Sequence, residues 1–528
     1  MRLSVHCAGN RSPPPIPSRP QPRPKGSQRL AYQRPRHARR KRDQVVGALT
    51  HPHYRSGYAL VANTVGTTAI GVAYWAIAAH LYDRQVLGQS SALVSALILV
   101  SSIAQLNLGS TLPRFLPLAY RRSGRLIRYT YIATSAVALL AGLGFVTLLP
   151  RLNAQWHFLG GSAGLALAFV GAAIVWGIFA LQDAALTGLR HASIVPVENV
   201  VYGVLKLILL IAIASLLPAT GIFLSWVLPL VLIIPAINWL IFGRYLKHPE
   251  SLDKGARIRP REVIRFAAVD YAGALLGQIY ISLMPLLVLS ILGAGANGTF
   301  YVAWTITSGL ALVANNFATS LLVEGAAAPD RLPELTRGVL IRCALLMTLG
   351  VALLVLLARP ILTIYGAQYA AQASGLLGLL ALTVLPRSLV VITFSLDRLA
   401  GRVGRASLTN LILGVLVLGG TWLSLTRFGI DGVALAWGGG HLVIALVRAP
   451  TIIGALRRQA QPAAGPPSSV ARTDRPAPAE QDGRAARLPA KPPGAHRQPA
   501  GLAQPGGPAA THGPAGLGPE GADAAAST

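Results

Sequence analysis

The sequence has few acidic residues, almost no cysteine and none of the motifs by which soluble enzymes are identified. Its 528 residues include 18 Asp and Glu and two distant cysteines, Cys7 and Cys343, which indicate neither a disulfide framework nor a Cys-ligated metal. The chain contains no GxxxxGK(S/T) loop, no GxGxxG run opening a helix and no HExxH pair. Charged residues make up 12% of the chain, about half of the ~25% typical of soluble proteins. We therefore expect no enzyme, no catalytic residue, no cofactor and no metal site.

Long apolar runs fill the chain between Gly57 and about Leu456. Twelve of them approach the ~20 residues that cross a bilayer as a helix. They are 57–81, 86–112, 129–149, 158–182, 196–217, 221–242, 268–292, 298–323, 337–358, 373–396, 405–425 and 430–456. Twelve such runs, with connections too short for an extramembrane domain, argue against a soluble helical core. The runs predict an all-α integral membrane protein with about twelve transmembrane helices.

Composition divides the remainder of the chain. Residues 1–56 are rich in Pro and Arg, and residues 457–528 are rich in Ala, Pro and Gly. Neither segment can bury enough apolar surface to offset the entropy of ordering, so both are predicted to be disordered tails. Between them we place an N-lobe at 57–242, a cytoplasmic linker at 243–267 and a C-lobe at 268–456. No apolar run follows Met1, so no cleavable signal peptide is expected.

The distribution of Lys and Arg predicts the orientation. Counted over alternate connections and both tails, 41 of the 47 basic residues fall on one side of the membrane and four on the other. Cytoplasmic loops carry the excess of basic residues, so both termini are predicted to be cytoplasmic. Topology also accounts for the net charge of +29 without a nucleic-acid partner.

The two halves of the apolar region form an internal repeat with an offset of about 210 residues. Gly88 pairs with Gly298 at an offset of 210, and Asp183 pairs with Asp397 at 214. After a gap of three residues, Asn199 pairs with Asn410 and Trp226 with Trp437 at 211. Six spans in each half give the two halves the same orientation. The chain is therefore predicted to form two pseudo-symmetric six-helix lobes, an arrangement typical of secondary transporters.

Lys206 is the clearest polar residue inside a span. It lies about ten residues into the fifth run, roughly 15 Å deep at 1.5 Å per residue. A lysine at such depth costs on the order of 2.5–3.5 kcal/mol, so it should face an aqueous cavity or a partner. Asn199 and Tyr202 share its helical face. The alternative is a packing salt bridge with Glu198 or Asp270.

Other polar residues are candidates for a cavity or for a gate. Arg387 follows Pro386 near the middle of the tenth run, where the proline frees backbone carbonyls. Further cavity candidates are Asp270, Gln278 and Asn63. Residues at the ends of spans, suited to a gate or a helix-terminal salt bridge, are Arg114, Asp183, Glu198, Glu324 and Asp397.

Five stretches of the chain resemble flippases of the MOP (multidrug/oligosaccharidyl-lipid/polysaccharide) superfamily, in particular the bacterial Wzx or O-antigen type. They are Gly88 after the first hairpin, LNLGSTLPRFLP from Leu106, QDAALTGLRHASIVPVENVVYGVLK from Gln182, IYGAQYAAQASGLL from Ile364 and GIDGVALAW from Gly429. The resemblance covers about 57–456. It implies a MATE-like fold of two lobes in the cytoplasmic membrane.

The resemblance also implies a function. Such flippases move a polyprenyl-diphosphate-linked oligosaccharide across the membrane for cell-surface polysaccharide synthesis, and a cationic cavity receives the diphosphate. In this chain Lys206 and Arg387 are the residues suited to that role, with Arg114 at the inner end. Membrane lipids and other polysaccharide-assembly proteins are further expected partners. The alternatives are a MATE-type cation-coupled exporter, which needs buried carboxylates, and a flippase for lipid II.

Overall fold

A computed structural model describes residues 52–119, 122–246 and 260–457. Side chains are described for 66–119, 122–246, 271 and 273–457. The predicted tails at 1–56 and 457–528 lie almost wholly outside the described residues. Within the described ranges the chain is helical, with turns between the helices.

Fifteen α-helices follow one another in the described part of the chain. In the first half they are α1 (Pro52–Leu81), α2 (Arg84–Ala104), α3 (Leu108–Ala119), α4 (Ser123–Leu152), α5 (His157–Gly160), α6 (Ala163–Gly188), α7 (Val195–Ala212) and α8 (Gly221–Asn238), which continues as a π-helical segment, Trp239–Tyr245. In the second half they are α9 (Pro260–Leu292), α10 (Ala294–Ala327), α11 (Leu332–Leu356), α12 (Ala358–Thr363), α13 (Ala367–Leu399), α14 (Val403–Phe428) and α15 (Asp431–Arg457). The helix α9 begins inside the predicted linker 243–267.

Eleven of the described helical segments are long and apolar enough to cross a membrane. They correspond to eleven of the twelve predicted runs, and the remaining run forms the 30-residue helix α1. Many large apolar side chains on the outer faces are exposed, such as Leu140 at 70% and Leu446 at 66%. Such faces are stable against lipid and not against water. The predicted all-helical, multi-pass membrane fold is confirmed.

Short turns make successive long helices antiparallel, which gives the bundle two ends. We call the end that holds residues 52 and 457 the near end, and the other the far end. The lobes meet closely at the far end, where α2 and α10 cross at the repeat-related Gly88 and Gly298. A Cβ added at Gly88 would lie 1.8 Å from the carbonyl oxygen of Ala294. The buried Asn297 secures this crossing by donating to the carbonyl oxygen of Gly88 at 2.7 Å.

The second predicted run, 86–112, is not one helix. The chain leaves α2 at Gln105, and both Leu106 and Asn107 have positive φ angles, 48° and 59°. The helix α3 then starts at Leu108 and carries Pro113 and Pro117. At the break the carbonyl oxygen of Ile103 accepts two hydrogen bonds, from the amide of Leu106 at 3.3 Å and from the Tyr271 hydroxyl at 2.8 Å. The repeat-related helix α10 runs unbroken, so the two lobes differ here.

The repeat is present, but one of its predicted pairings is wrong. At the near end of α6 the amide of His191 donates to the carbonyl oxygen of Leu186. At the near end of α13 the amide of Arg402 donates to the carbonyl oxygen of Asp397 in the same way. These matching turns lie 211 residues apart, so Asp397 corresponds to Leu186 and not to Asp183. The offset of 214 is wrong because α14 begins one turn earlier than α7, which shifts the apparent alignment.

Candidate functional site

Lys206 lies in the core of the N-lobe, enclosed by aromatic rings from three helices. It is 7% exposed. Its Nζ lies 4.1 Å from the ring centroid of Trp226 on α8, 4.7 Å from that of Tyr74 on α1 and 5.3 Å from that of Tyr202 on α7. A ring face attracts a cation within about 6 Å. We call these three residues the lysine cage.

Hydrogen bonds hold the cage rings in position. The Tyr202 hydroxyl donates to the carbonyl oxygen of Trp226 at 3.0 Å. The Tyr74 hydroxyl donates to the carbonyl oxygen of Ile222 at 2.9 Å and lies 2.7 Å from the hydroxyl of Ser225. Because the phenol oxygens are engaged with α8, the ring faces remain turned to the ammonium group.

No described carboxylate pairs with Lys206. The ion pairs among the described side chains join Arg331 to Glu334 and Arg448 to Asp397. Glu198, one of the two packing partners that the sequence offers, forms no ion pair with the lysine. The side chain of Asp270, the other one, lies outside the described residues. The positive charge of Lys206 is therefore buried with aromatic contacts only, as far as the described side chains show.

Arg387 has a corresponding environment in the C-lobe. Its guanidinium carbon lies 5.6 Å from the ring centroid of Trp437 on α15. Tyr280 on α9 and His441 on α15 surround the same indole, with ring centroids 5.5 Å and 4.7 Å from it. No described carboxylate forms a salt bridge with this arginine either.

The two tryptophans under the cations are repeat-related, but the cations are not. Trp226 and Trp437 are 211 residues apart. At the same offset Lys206 corresponds to Val417, and Arg387 corresponds to Trp176. Each lobe thus places one cation on the equivalent indole. The cation comes from α7 in the N-lobe and from α13 in the C-lobe, and these two helices are not repeat-related.

Aromatic rings from both lobes lie between the two cations. Trp226 lies 6.3 Å from Trp75, and Trp75 lies 4.7 Å from Tyr301 on α10, measured between ring centroids. One helical turn along α10, Trp304 lies 4.7 Å from Trp437. Residues three apart share a helical face. Lys206 and Arg387 therefore contact rings of one buried cluster, which we call the aromatic layer.

A polar cavity of about 260 Å³ lies between the lobes, on the near-end side of this layer. It is formed where α2 breaks and α9 passes. The sequence-predicted Gln278 lines it, with Gln105, Asn107 and Tyr271. Irregular backbone at membrane depth is stable where it lines a cavity. The break between α2 and α3 is therefore located where its irregular backbone lines the cavity.

Asp183 and Glu198 form an acidic pair in the N-lobe, near the ends of α6 and α7. Glu198 is 4% exposed, and neither of its carboxylate oxygens has a hydrogen-bond partner among the described groups. One oxygen of Asp183 accepts from Asn199 at 3.5 Å, and the other has no partner. Asn199 also donates to the carbonyl oxygen of Val195. Asn199 thus contacts the acidic pair and not Lys206.

The other predicted residues lie apart from these groups. Arg114 is exposed on α3, 5.8 Å from the Phe115 ring. Glu324 is exposed and accepts from the Ser320 hydroxyl at 2.7 Å. Asp397 is buried in a salt bridge with Arg448. The side chain of Asn63 lies outside the described residues.

The sequence predicted one ring beside Lys206, that of Tyr202, and missed the other rings that surround the cations. Trp226 and Trp437 appeared there only as matching positions of the repeat, and Tyr74, Tyr280 and His441 did not appear. Each ring is apolar enough to resemble ordinary packing. The available signal was the coincidence of a repeated tryptophan with one cation inside a span of each half.

Comparison with known proteins gives a fold and no closer relative. No family model matches the sequence, and no curated protein matches it. Among solved structures, an inward-facing multidrug-resistance MATE family transporter of the MOP superfamily is 16% identical with a TM-score of 0.60, covering 74% of this chain and 95% of that one. An outward-facing structure of such a transporter is 15% identical with a TM-score of 0.52, covering 76% and 96%.

A third solved structure comes from Pyrococcus furiosus. It is described as a MOP superfamily transporter whose binding pocket has reverse polarity, which suggests a different function for that protein. It is 15% identical to this chain with a TM-score of 0.53, and the match covers 75% of this chain and 94% of that one. Nearly the whole length of each of these transporters is matched by this bundle. The chain has the fold of the MATE family transporters of the MOP superfamily.

Proposed function

We propose that this protein flips a polyprenyl-diphosphate-linked oligosaccharide across the cytoplasmic membrane by alternating access between its two lobes. One observation carries the proposal. Lys206 and Arg387 present one cation from each lobe on equivalent tryptophans, within one aromatic layer and without a paired carboxylate among the described side chains.

A diphosphate suits this pair of cations. Lysine offers a compact point charge with three donors, and arginine offers a planar fork that binds phosphoryl oxygens in pairs. Lys206 is enclosed by three rings and the half-buried Arg387 lies on one. In such low-dielectric surroundings an anion gains more from a fixed charge than it does in water. An organic cation would be repelled by the same two groups. The polarity of the layer therefore favours an anionic cargo.

The arrangement of the lobes supports alternating access. The lobes meet at the far end through the glycine crossing, and toward the near end the 260 Å³ cavity lies between them beside the Tyr271–Ile103 hydrogen bond. Transporters built from parallel repeats rock one half against the other around a central site. A small-residue crossing suits such rocking because the two backbones approach closely without interlocking side chains.

One observation favours a second candidate, a MATE-type cation-coupled exporter. The acidic pair of Asp183 and Glu198 is buried and incompletely partnered, as a cation site requires. The pair belongs to the N-lobe alone and is not part of the aromatic layer. A flippase for lipid II shares the diphosphate chemistry and differs from the leading proposal only in the attached saccharide and peptide.

Reconstituted transport separates these functions. The purified chain in proteoliposomes should move a fluorescent polyprenyl-diphosphate oligosaccharide between leaflets, measured by the fraction accessible to an external quencher. Lys206→Met and Arg387→Leu should each reduce the rate at least tenfold. The control Arg342→Met removes an exposed arginine from α11 and should leave the rate unchanged.

A different cargo pattern would contradict the proposal. Vesicles that accumulate an organic cation, with the rate abolished by Glu198→Gln and unaffected by Lys206→Met, would identify an exporter. Transport of lipid II in preference to the oligosaccharide would identify the peptidoglycan precursor as the cargo.

A further inference from the structure

A second cavity lies in the C-lobe at the near end of the bundle. Its volume is about 300 Å³. It is enclosed by the end of α13, the start of α14, the start of α11 and the last two turns of α15. The residues that matter for its chemistry are Arg402, Arg405, Asp397, Leu332, Leu396 and Ala455. It is separate from the aromatic layer and from the cavity between the lobes.

The charge of this C-lobe cavity is positive. Two exposed arginines, Arg402 and Arg405, line it. Among its lining residues the acidic one is Asp397, which is 1% exposed and whose carboxylate is bound by the guanidinium of Arg448. Because that charge is already compensated, the arginines at the cavity are left with no carboxylate of the cavity to pair with.

The start of α14 adds to this potential. Arg402 is the N-cap residue of α14, and its side chain makes no capping hydrogen bond. The first amides of a helix have no acceptor within the helix, and the helix dipole is positive at this end. Arginines and helix amides together are the groups by which proteins hold phosphate.

The N-lobe shows that the fold does not require this cavity. At the offset of 211, His191 stands in place of Arg402 and Ile194 in place of Arg405. The His191 ring stacks on Tyr245 with 3.8 Å between centroids, and Tyr245 belongs to the π-helical extension of α8. The equivalent turn of the N-lobe is thus covered by an aromatic ring. In the C-lobe the arginines border open space.

The apolar walls of the cavity indicate where its ligand comes from. Leu332 and Leu396 line one side, and α15 continues outward through Ile453 and Leu456, which are 44% and 39% exposed. In a membrane protein such exposed residues face lipid. The cavity therefore has arginines on one side and lies beside an exposed apolar surface on the other.

We propose that this C-lobe cavity binds the phosphoryl headgroup of an anionic phospholipid from the leaflet at the near end. The basic residues predict that this end is cytoplasmic, and the cytoplasmic leaflet is where anionic lipids attract basic groups and where basic pockets between helices bind lipid headgroups. The site is independent of the transported cargo.

Thermal unfolding of the full chain in micelles, titrated with single lipids, tests the site. Phosphatidylglycerol should raise the unfolding temperature at lower concentration than phosphatidylcholine, because a ligand that binds only the folded state stabilises it. The double variant Arg402→Gln/Arg405→Gln should weaken phosphatidylglycerol binding at least tenfold. The matched control is Arg337→Gln/Arg342→Gln on α11, which removes the same charge away from the cavity and should keep the preference.

A second variant tests the cavity without changing the charge of the protein. Gly454→Phe fills the cavity, where a Cβ meets no atom within 4 Å, and leaves both arginines in place. It should also weaken phosphatidylglycerol binding. Equal loss in the α11 control would show non-specific attraction and overturn the proposal. Stabilisation by inorganic phosphate as large as that by phosphatidylglycerol would assign the site to a soluble anion and overturn the lipid source.

Discussion

Replacing Lys206 with methionine should separate stability from transport. Methionine keeps the length and the apolar stem of the side chain and removes the charge. The lysine lies among three rings and forms no ion pair with a described side chain. The variant therefore tests whether the charge is retained for the fold or for the cargo.

The surroundings of Lys206 give the expected changes in the free energy of unfolding and in diphosphate affinity. A lysine near the middle of a bilayer costs on the order of 2.5–3.5 kcal/mol, and desolvated cation–π contacts recover about 2 kcal/mol. Removing the charge should then raise the free energy of unfolding by about 1 kcal/mol. A lost hydrogen bond between an ammonium and a phosphoryl oxygen weakens binding by about 1.5–3 kcal/mol, which corresponds to roughly 10–150-fold.

Two measurements on the same preparation read out both effects. Thermal unfolding in micelles gives the stability, and titration with a short-chain polyprenyl-diphosphate sugar gives the affinity. We expect an unfolding temperature equal to or above that of the wild type and a dissociation constant at least tenfold higher. Lys206→Arg should retain part of the affinity, since the charge remains while the geometry changes.

The opposite result would assign the charge of Lys206 to the fold. A Lys206→Met variant that unfolds at a clearly lower temperature and binds the diphosphate normally would show that the lysine serves packing. Arg342→Met serves as the control, because that arginine is exposed and both quantities should stay at the wild-type values.

Three further predictions concern the fold. Gly88→Ala should destabilise the chain by about 1–3 kcal/mol in thermal unfolding, because its Cβ would lie 1.8 Å from the carbonyl oxygen of Ala294 and force α2 from α10. Wild-type stability in that variant would contradict the close approach of α2 and α10 at Gly88. Asp397→Asn should lower the free energy of unfolding by about 3–5 kcal/mol because Arg448 is left buried without its partner. The double variant Asp397→Asn/Arg448→Met should recover part of the loss. No recovery would argue against the salt bridge as a source of stability. Reporter fusions after Lys247 and after Ala294 should read cytoplasmic and external, and the reverse pattern would invert the topology.

The helices and the repeat could be predicted from sequence because both depend on composition along the chain. Runs of about twenty apolar residues mark the spans, and glycines and tryptophans that recur in order mark the repeat. Lys206 and Arg387 were visible for the same reason, since a charge stands out in an apolar run.

The break in the second span and the aromatic cage could not be predicted in this way. Leu106 adopts a positive φ, which its side chain disfavours, so nothing in the local sequence marks the turn except Asn107, which tolerates it. The lysine cage brings Tyr74 and Trp226 together from residues 152 positions apart. Periodicity shows which residues share one helix face and gives no information about the partner helix.

The most direct test of the central claim is a double-mutant cycle on diphosphate binding with Lys206→Met and Arg387→Leu. Each variant should weaken binding of a polyprenyl-diphosphate sugar at least tenfold. The corresponding monophosphate should bind the wild type more weakly and respond less to either change. The two losses should also depend on one another, since both cations bind the same diphosphate. Unchanged affinity in both single variants would show that neither cation binds the diphosphate.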